Sequence, residues 1–366
     1  MESLNVTEFL YEHLNEFTNG FSEENFVSNF QFGKVYRGKM PPGIYGKEAK
    51  DVMVKIWDAS NNRLYRVYHP VENRVRLAEE VVLLKHRTMN SHPNLVKLVG
   101  FCWQNDKLGA VYDLDPLHTL RDLIPKGCFD WLKRMKVAVE FARVLAFFHA
   151  PKKCFLPYGP YLIRNVDATH IMLDKDYNTK LFDFSMVSGG MFPDRNKVRL
   201  HALRGYTSGC IGYVDTCFAY TGGWCEKNDV YAFGVILVGL IAKRVFNTDT
   251  DMDTNIPFVD DWALSLYEKQ PKFSLIDKGL AWVSSVYKKK QSKFSLVDQS
   301  LEADPAFNSS DGHKLTKLAM WCLKYFPRDR PTMKQVIKCL LDLHVVKIHA
   351  STLGLNTKLD HAFSVV

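Results

Sequence analysis

"YLIRNVDATHIMLDKDYNTKLFDFSM" occupies residues 161–186, and the order of its polar residues frames the rest of the chain. Two short clusters bracket it. Ile163-Arg164-Asn165 comes first, and Asp183-Phe184-Ser185 begins 18 residues after Asn165. Asp167 and His170 lie between them. Further signals stand in fixed order around this stretch. "VMVK" ends in Lys55 on a predicted strand, and Glu80 follows on a predicted helix. Later, "DVYAFGV" begins at Asp229 and "RPTM" at Arg330.

The chain has 366 residues, 46% of them apolar and 24% charged, enough for one large domain or two lobes with a sizeable core. The formal charge is +8, with Lys and Arg mixed among Asp and Glu. That pattern reads as a solvated surface rather than a nucleic-acid face. The longest apolar run, "VYAFGVILVGLIA" at residues 230–242, is too short to span a bilayer and predicts a buried helix. "MESLNVTEFLYEH" has no basic region followed by an apolar core, so no secretory signal is expected. Glu2 excludes N-myristoylation. The eight cysteines form no CxxC pair and no metal spacing with His; Cys210, Cys217 and Cys225 are the closest set. Reduced thiols in a cytosolic protein are expected.

The first part of the chain alternates β-like runs with turns: "NFVSNFQFGKVYRGKM", "DVMVKIWDA", "NLVKLVGFCWQ" and "LGAVYDLD". One helical stretch, "ENRVRLAEEVVLLKHRTM", interrupts them. From about Pro116 the pattern is helical. In "DWLKRMKVAVEFARVLAFFHA", Val137, Phe141, Val144, Leu145 and Phe148 share one apolar face. A β-rich part followed by a helix-rich part predicts an α+β fold of two lobes. One internal repeat, residues 262–280 echoed by 282–301, is too short for a solenoid and reads as a local duplication.

The ordered motifs resemble the protein kinase signature set, and "HPNLVKLVGFC", "EKNDVYAFGVIL" and "PRDRPTM" resemble plant receptor-like kinases. The resemblance covers roughly residues 16–345. It implies an extension at 1–22, a β-rich N-lobe at 23–115, a helical C-lobe at 116–350 and a tail at 351–366. It also implies roles. Lys55 matches the lysine that contacts nucleotide phosphates, Glu80 its helix partner, and Tyr112 the gatekeeper. Val35 closes the phosphate loop, and Asp183 matches the aspartate that holds magnesium. These five form a candidate weak ATP site, with Asp183 its metal ligand. Phe184, Asp229 and Arg330 match fold-supporting positions, Asp229 pinning the backbone of the catalytic loop.

Against that pattern the reactive positions are altered. The phosphate loop reads "SNFQFGKV", with Ser28 and Phe30 where the family has glycines; Gly33 remains. Asn165 replaces the catalytic aspartate, and a neutral amide cannot take a proton at pH 7. Asp167 replaces a lysine. His170 replaces the magnesium-binding asparagine, although magnesium wants oxygen ligands. Ser185 replaces the DFG glycine. Asp215-Thr216-Cys217 replaces Ala-Pro-Glu, so Arg330 is expected to lose its usual family partner.

Packing positions kept and reactive positions lost resemble a pseudokinase. "KLFDFSM" and the missing aspartate look most like the zed-related members of subfamily twelve of the receptor-like cytoplasmic kinases. That resemblance implies an adaptor or decoy in plant immune signalling, requiring no cofactor and binding ATP weakly if at all. Its implied partners are a coiled-coil NLR immune receptor and active receptor-like cytoplasmic kinases. It is expected to be cytoplasmic, peripheral at the plasma membrane when in complex, with no nucleic acid and no membrane span. Two alternatives stay open: a weak or atypical serine/threonine kinase using Asp167 or Asp183 as base, and an ATP-binding switch without phosphoryl transfer. Candidate partner surfaces are residues 1–22 with the small lobe, the activation segment 188–212 with Tyr206, Thr207 and Ser208, and the duplicated region 262–301.

Overall fold

The computed structural model describes residues 6–44, 48–57, 70–150, 159–192, 210–215, 218, 223–246, 258–268 and 294–355. Cys217, the hydroxyls of Tyr206, Thr207 and Ser208, and most of the duplicated region lie outside them. The chain divides into two compact units, residues 1–123 with 151–197, and residues 124–150 with 198–366. The strip at 161–186 thus groups with the β-rich part of the chain.

The first unit is built on a six-stranded sheet. Its strands are β1 (Thr7–Phe9), β2 (Phe26–Phe30), β3 (Gly33–Met40), β4 (Lys50–Trp57), β5 (Leu98–Gln104) and β6 (Lys107–Tyr112), in the order β1-β5-β6-β4-β3-β2. Helix α1 (Tyr11–Phe17) lies near its start, and α2 (Pro70–Lys85), α3 (Arg87–Asn90) and α4 (Leu120–Leu123) follow. A second, three-stranded sheet joins β7 (His118–Thr119), β8 (Ile171–Leu173) and β9 (Thr179–Leu181).

Residues 7–9, expected within an N-terminal extension, form a strand of the larger sheet, and α1 follows it. β1 pairs parallel with β5 in the register Thr7↔Gly100 and Phe9↔Cys102. Phe9, Leu14 and Phe17 bury against Val52, Val54 and Ile56 of β4 and Val99 and Val111 of the neighbouring strands. Burial of that apolar surface is what holds a strand of only three residues in place. The close approach needs glycine at position 100. A Cβ there would meet the Phe9 ring at 2.3 Å and the Thr7 carbonyl at 2.4 Å. Gly100→Ala is therefore expected to cost about 1–3 kcal/mol and to release the N-terminal strand. Limited proteolysis checks this: cleavage between residues 6 and 22 rises in the variant, and an unchanged digestion pattern counts against the packing described.

The second unit is helical. It contains α5 (Trp131–His149), α6 (Glu226–Ala242), α7 (Val259–Glu268), α8 (Gln299–Glu302), α9 (Ser309–Cys322), α10 (Met333–Leu341) and α11 (His344–Ile348). Asp130 caps α5, accepting the Lys133 backbone N–H at 2.9 Å. The apolar face predicted for α5 is buried in full, from Val137 to Phe148. Arg134, also buried, donates to the carbonyls of Phe129, Leu240 and Ile124, so its charge is solvated by backbone. The apolar run at 230–242 is the body of α6, buried on all sides as its pattern required. No described helix is long and apolar enough to cross a membrane.

Candidate functional site

Alternation along β4 sets the site. Val52, Val54 and Ile56 face the α1 cluster, so Met53, Lys55 and Trp57 point to the opposite side. Lys55 is 0% exposed, and an ammonium without water must be paired. It is paired twice. Nζ donates to Glu80 Oε2 at 2.8 Å and to Asp183 Oδ1 at 2.6 Å. Glu80 comes from the buried side of α2, where Arg76, Leu77, Glu80 and Leu84 recur at helical spacing. Its other oxygen accepts the hydroxyl of Tyr112, at the end of β6. Asp183 arrives from β9, two residues past Leu181.

The Asp183 carboxylate is densely bonded. Oδ1 also accepts the Ser185 backbone N–H at 3.1 Å and the Ser185 hydroxyl at 2.8 Å. Oδ2 accepts Asn165 Nδ2 at 2.6 Å and lies 3.6 Å from His170 Nδ1. That imidazole nitrogen is 2.7 Å from the Asn165 carbonyl oxygen. Burial alone pushes the Asp183 carboxyl up, but Lys55, His170 and the Ser185 hydrogen bond outweigh it and hold it at about 2. Glu80 goes the other way: burial outweighs the Lys55 attraction and raises it. One ammonium thus serves two buried carboxylates whose pKa values shift in opposite directions. Burial and the neighbouring Glu80 push the Tyr112 hydroxyl well above its ordinary range.

The residues between the clusters are spent on local structure. Asp167 caps a single 3-10 turn, Ala168–His170, its Oδ1 accepting the Thr169 N–H at 2.6 Å and the Thr169 hydroxyl at 2.8 Å. Arg164 has φ +71°, a conformation that non-glycine residues hold only where surroundings impose it, and such positions cluster at functional sites. Phe184 and Ile163 are both fully buried.

Where the family pattern has a glycine-rich loop, β2 and β3 form a hairpin. Phe30 pairs with Gly33 across the two-residue turn Gln31-Phe32. Lys55 Nζ lies 4.5 Å from the centre of the Phe30 ring and 4.4 Å from that of Trp57. The two rings meet edge to face at 5.5 Å. Phe32 stacks on the buried Arg76 guanidinium at 4.0 Å. Val35, opposite Lys55 in the sheet register, is buried. The structure thus brings Lys55, Glu80, Tyr112, Asp183, Asn165 and His170 into one network. Sequence reasoning missed the ring contacts. The signal was present: Trp57 stands two residues from Lys55, on the same strand face.

The helical unit holds a separate anchoring cluster. Asp229, in the first turn of α6, places Oδ2 3.0 Å from His149 Nε2. Arg330 was expected to lose its usual family partner, and a different carboxylate takes that place. Asp215, two residues before the position of the missing glutamate, accepts both ends of the guanidinium, with Nη2 to Oδ1 at 2.8 Å. Asn228 Nδ2 donates to the same carboxylate at 2.9 Å. An aspartate two residues upstream closes an equivalent ion pair.

The family described as protein tyrosine and serine/threonine kinase matches residues 23–255. An EPD1-interacting receptor-like cytoplasmic serine/threonine-protein kinase of Nicotiana benthamiana is 31% identical over 347 residues, 92% of this chain and 64% of the relative. The probable serine/threonine-protein kinase PBL12 of Arabidopsis thaliana is 31% identical over 350 residues, 93% of this chain and 70% of the relative. The probable serine/threonine-protein kinase PBL16 of the same plant is 28% identical over 353 residues, 93% of this chain and 74% of the relative. The matched family, the β-sheet-rich first lobe, the helical second lobe and the joined Lys55, Glu80 and Asp183 agree. The chain belongs to the protein kinase family, among the plant receptor-like cytoplasmic kinases.

Proposed function

We propose that this chain is a non-catalytic kinase fold that acts by binding other proteins. The kinase fold uses ATP, typically with magnesium, and needs phosphates cradled, metal held and the acceptor hydroxyl aligned. The residues present fit that ligand poorly. The observation that carries the reading is Asn165: in place of a base it is a donor, bonded to Asp183 Oδ2 at 2.6 Å. An amide in that role neither accepts the hydroxyl proton nor leaves Asp183 open to metal. Asp167, the alternative base, already accepts two hydrogen bonds within its own turn.

What such a fold offers is shape. The resemblance to the zed-related pseudokinases supplies the partners: a coiled-coil NLR immune receptor and an active receptor-like cytoplasmic kinase. The setting is cytoplasmic plant immune signalling, peripheral at the plasma membrane when in complex. Two partners held together need separate faces, each burying on the order of 800 Å² per side. The relatives are named as serine/threonine kinases, and this favours weak residual transfer as the second reading.

Radiolabelled ATP separates the two. The purified chain is expected to show no auto- or trans-phosphorylation with magnesium or manganese, a deficit of at least about 10²–10⁴ against an active relative. Transfer above background that disappears in Asp183→Asn would sink the non-catalytic reading. Co-immunoprecipitation with candidate receptors and kinases tests the partner half at matched expression.

A further inference from the structure

We infer that this fold carries its own substitute for nucleotide: the rings of Phe30 and Trp57 occupy the coordination sphere of Lys55, so the Lys55–Glu80–Asp183 network is closed with no ATP bound. The inference rests on the non-catalytic reading but makes a different claim, about binding rather than transfer.

A lysine ammonium has three N–H donors and no acceptor. Two are used, at 2.8 Å to Glu80 and 2.6 Å to Asp183. The remaining side of Nζ is covered by Phe30 at 4.5 Å and Trp57 at 4.4 Å, with Phe182 at 5.9 Å. The faces of aromatic rings attract cations, most strongly where water is excluded. Lys55 has no exposed surface. A phosphate oxygen reaching Nζ has to displace a carboxylate or a ring.

The hairpin that carries Phe30 is held from both sides. Phe30 sits on Lys55 and against Trp57, and Phe32 sits on Arg76 of α2. Arg76 in turn donates to Asn73 Oδ1 at 2.8 Å. A phosphate-cradling loop needs backbone brought close to the ligand, which glycine permits. Here bulky rings take that space and pin the turn to the helix bearing Glu80.

Asp183 is satisfied by further groups besides Lys55. Asp183 accepts from Lys55, from both donors of Ser185 and from Asn165, with His170 Nδ1 at 3.6 Å. Magnesium has to displace neutral donors to gain a carboxylate oxygen, and one neighbour is an imidazole it does not favour. Cation and carboxylate are bonded to each other at 2.6 Å, and each is otherwise completed by groups of this chain. A partner that recognises the first unit with this network in place therefore meets it at any cellular ATP concentration.

Calorimetry of the full chain with ATP, with and without magnesium, is the test. The wild type is expected to show no binding at millimolar ATP. Removing the rings in Phe30→Gly with Trp57→Val is expected to create binding at least about tenfold tighter than the wild-type limit. That gain is independent of magnesium, because Asp183 stays occupied. Phe30→Leu with Trp57→Leu keeps most of the bulk and gains no binding. Wild-type micromolar affinity, lost in Lys55→Met, overturns the inference and leaves the non-catalytic reading standing; phosphate transfer overturns both. A folded ring-free variant that gains nothing also overturns it, since the rings are then not the barrier. If that variant does not fold, an acyl-phosphate ATP probe on the wild type decides. No acylation of Lys55 in the native chain supports the inference, and ATP-competed acylation of Lys55 overturns it.

Discussion

Arg330→Ala is expected to lower the unfolding free energy by about 3–5 kcal/mol, the cost of leaving a buried charge without its partner. The guanidinium has five donors, and all five are used. Nη1 donates to Asp215 and to the Lys227 carbonyl, Nη2 to Asp215 and to the Tyr325 carbonyl, and Nε to the Lys324 carbonyl. The Tyr231 ring lies 4.7 Å beneath it. Asp215 is 1% exposed, so removing the arginine leaves its buried carboxylate without the paired cation. Arg330→Lys is not expected to rescue, because an ammonium cannot reproduce the planar fork. Replacing both partners by apolar residues is expected to cost less than the sum of the single losses. Denaturant unfolding compares the parent, the two single replacements, the double replacement and Arg330→Lys. A loss below about 1 kcal/mol for Arg330→Ala contradicts the anchoring role, because that is the range of an exposed pair.

Restoring the family's aspartate by Asn165→Asp is expected to damage this protein rather than repair it. The amide nitrogen of Asn165 is 2.6 Å from Asp183 Oδ2, and both residues are fully buried. The substitution turns a hydrogen bond into two facing carboxylates, which cannot both ionise at that distance. A loss of about 2–4 kcal/mol at neutral pH is expected. Its pH dependence follows from the sign of the shift. One carboxyl of the pair has its folded pKa raised above the unfolded value, so stability returns as pH falls through that raised pKa and is lowest above it. The gap to the parent is therefore wider at about pH 8 than at about pH 5. Asn165→Ala removes the donor without adding charge and is expected to show no such widening. The variant is expected to show no phosphoryl transfer, since His170, Ser28 and Phe30 still stand where metal and phosphate positioning are needed. Circular dichroism melts at the two pH values and a radiolabel assay check both halves. A stabilised Asn165→Asp chain, or one that transfers phosphate, refutes the reading of Asn165 as a structural donor.

Local pattern alone determined much of this protein. Period-two apolar runs gave the strands of the sheet, and the face Val137–Phe148 gave α5, because burial of one face is written directly into residue spacing. The reactive set was equally legible. Lys55, Glu80 and Asp183 stood out through their resemblance to the kinase signature set, and the structure places Lys55 Nζ within 2.8 Å of both carboxylates. The altered positions Asn165 and His170 were visible as substitutions, but not their new bonds. Tertiary structure decided what those residues do. Asp215 reaches Arg330 across 115 residues of sequence, and no local signal distinguishes it from an exposed aspartate. Phe30 read as an obstacle in a loop; the fold makes it a wall of the lysine site, because Trp57 and Asp183 arrive beside it from other elements. Residues 7–17 carried a strand and a helix too short to be stable alone, and only the glycine-lined surface of β5 and β6 gives their apolar side chains somewhere to bury. Spacing within an element is a property of the chain, whereas a partner for a buried charge is supplied by whichever distant element the fold sets beside it.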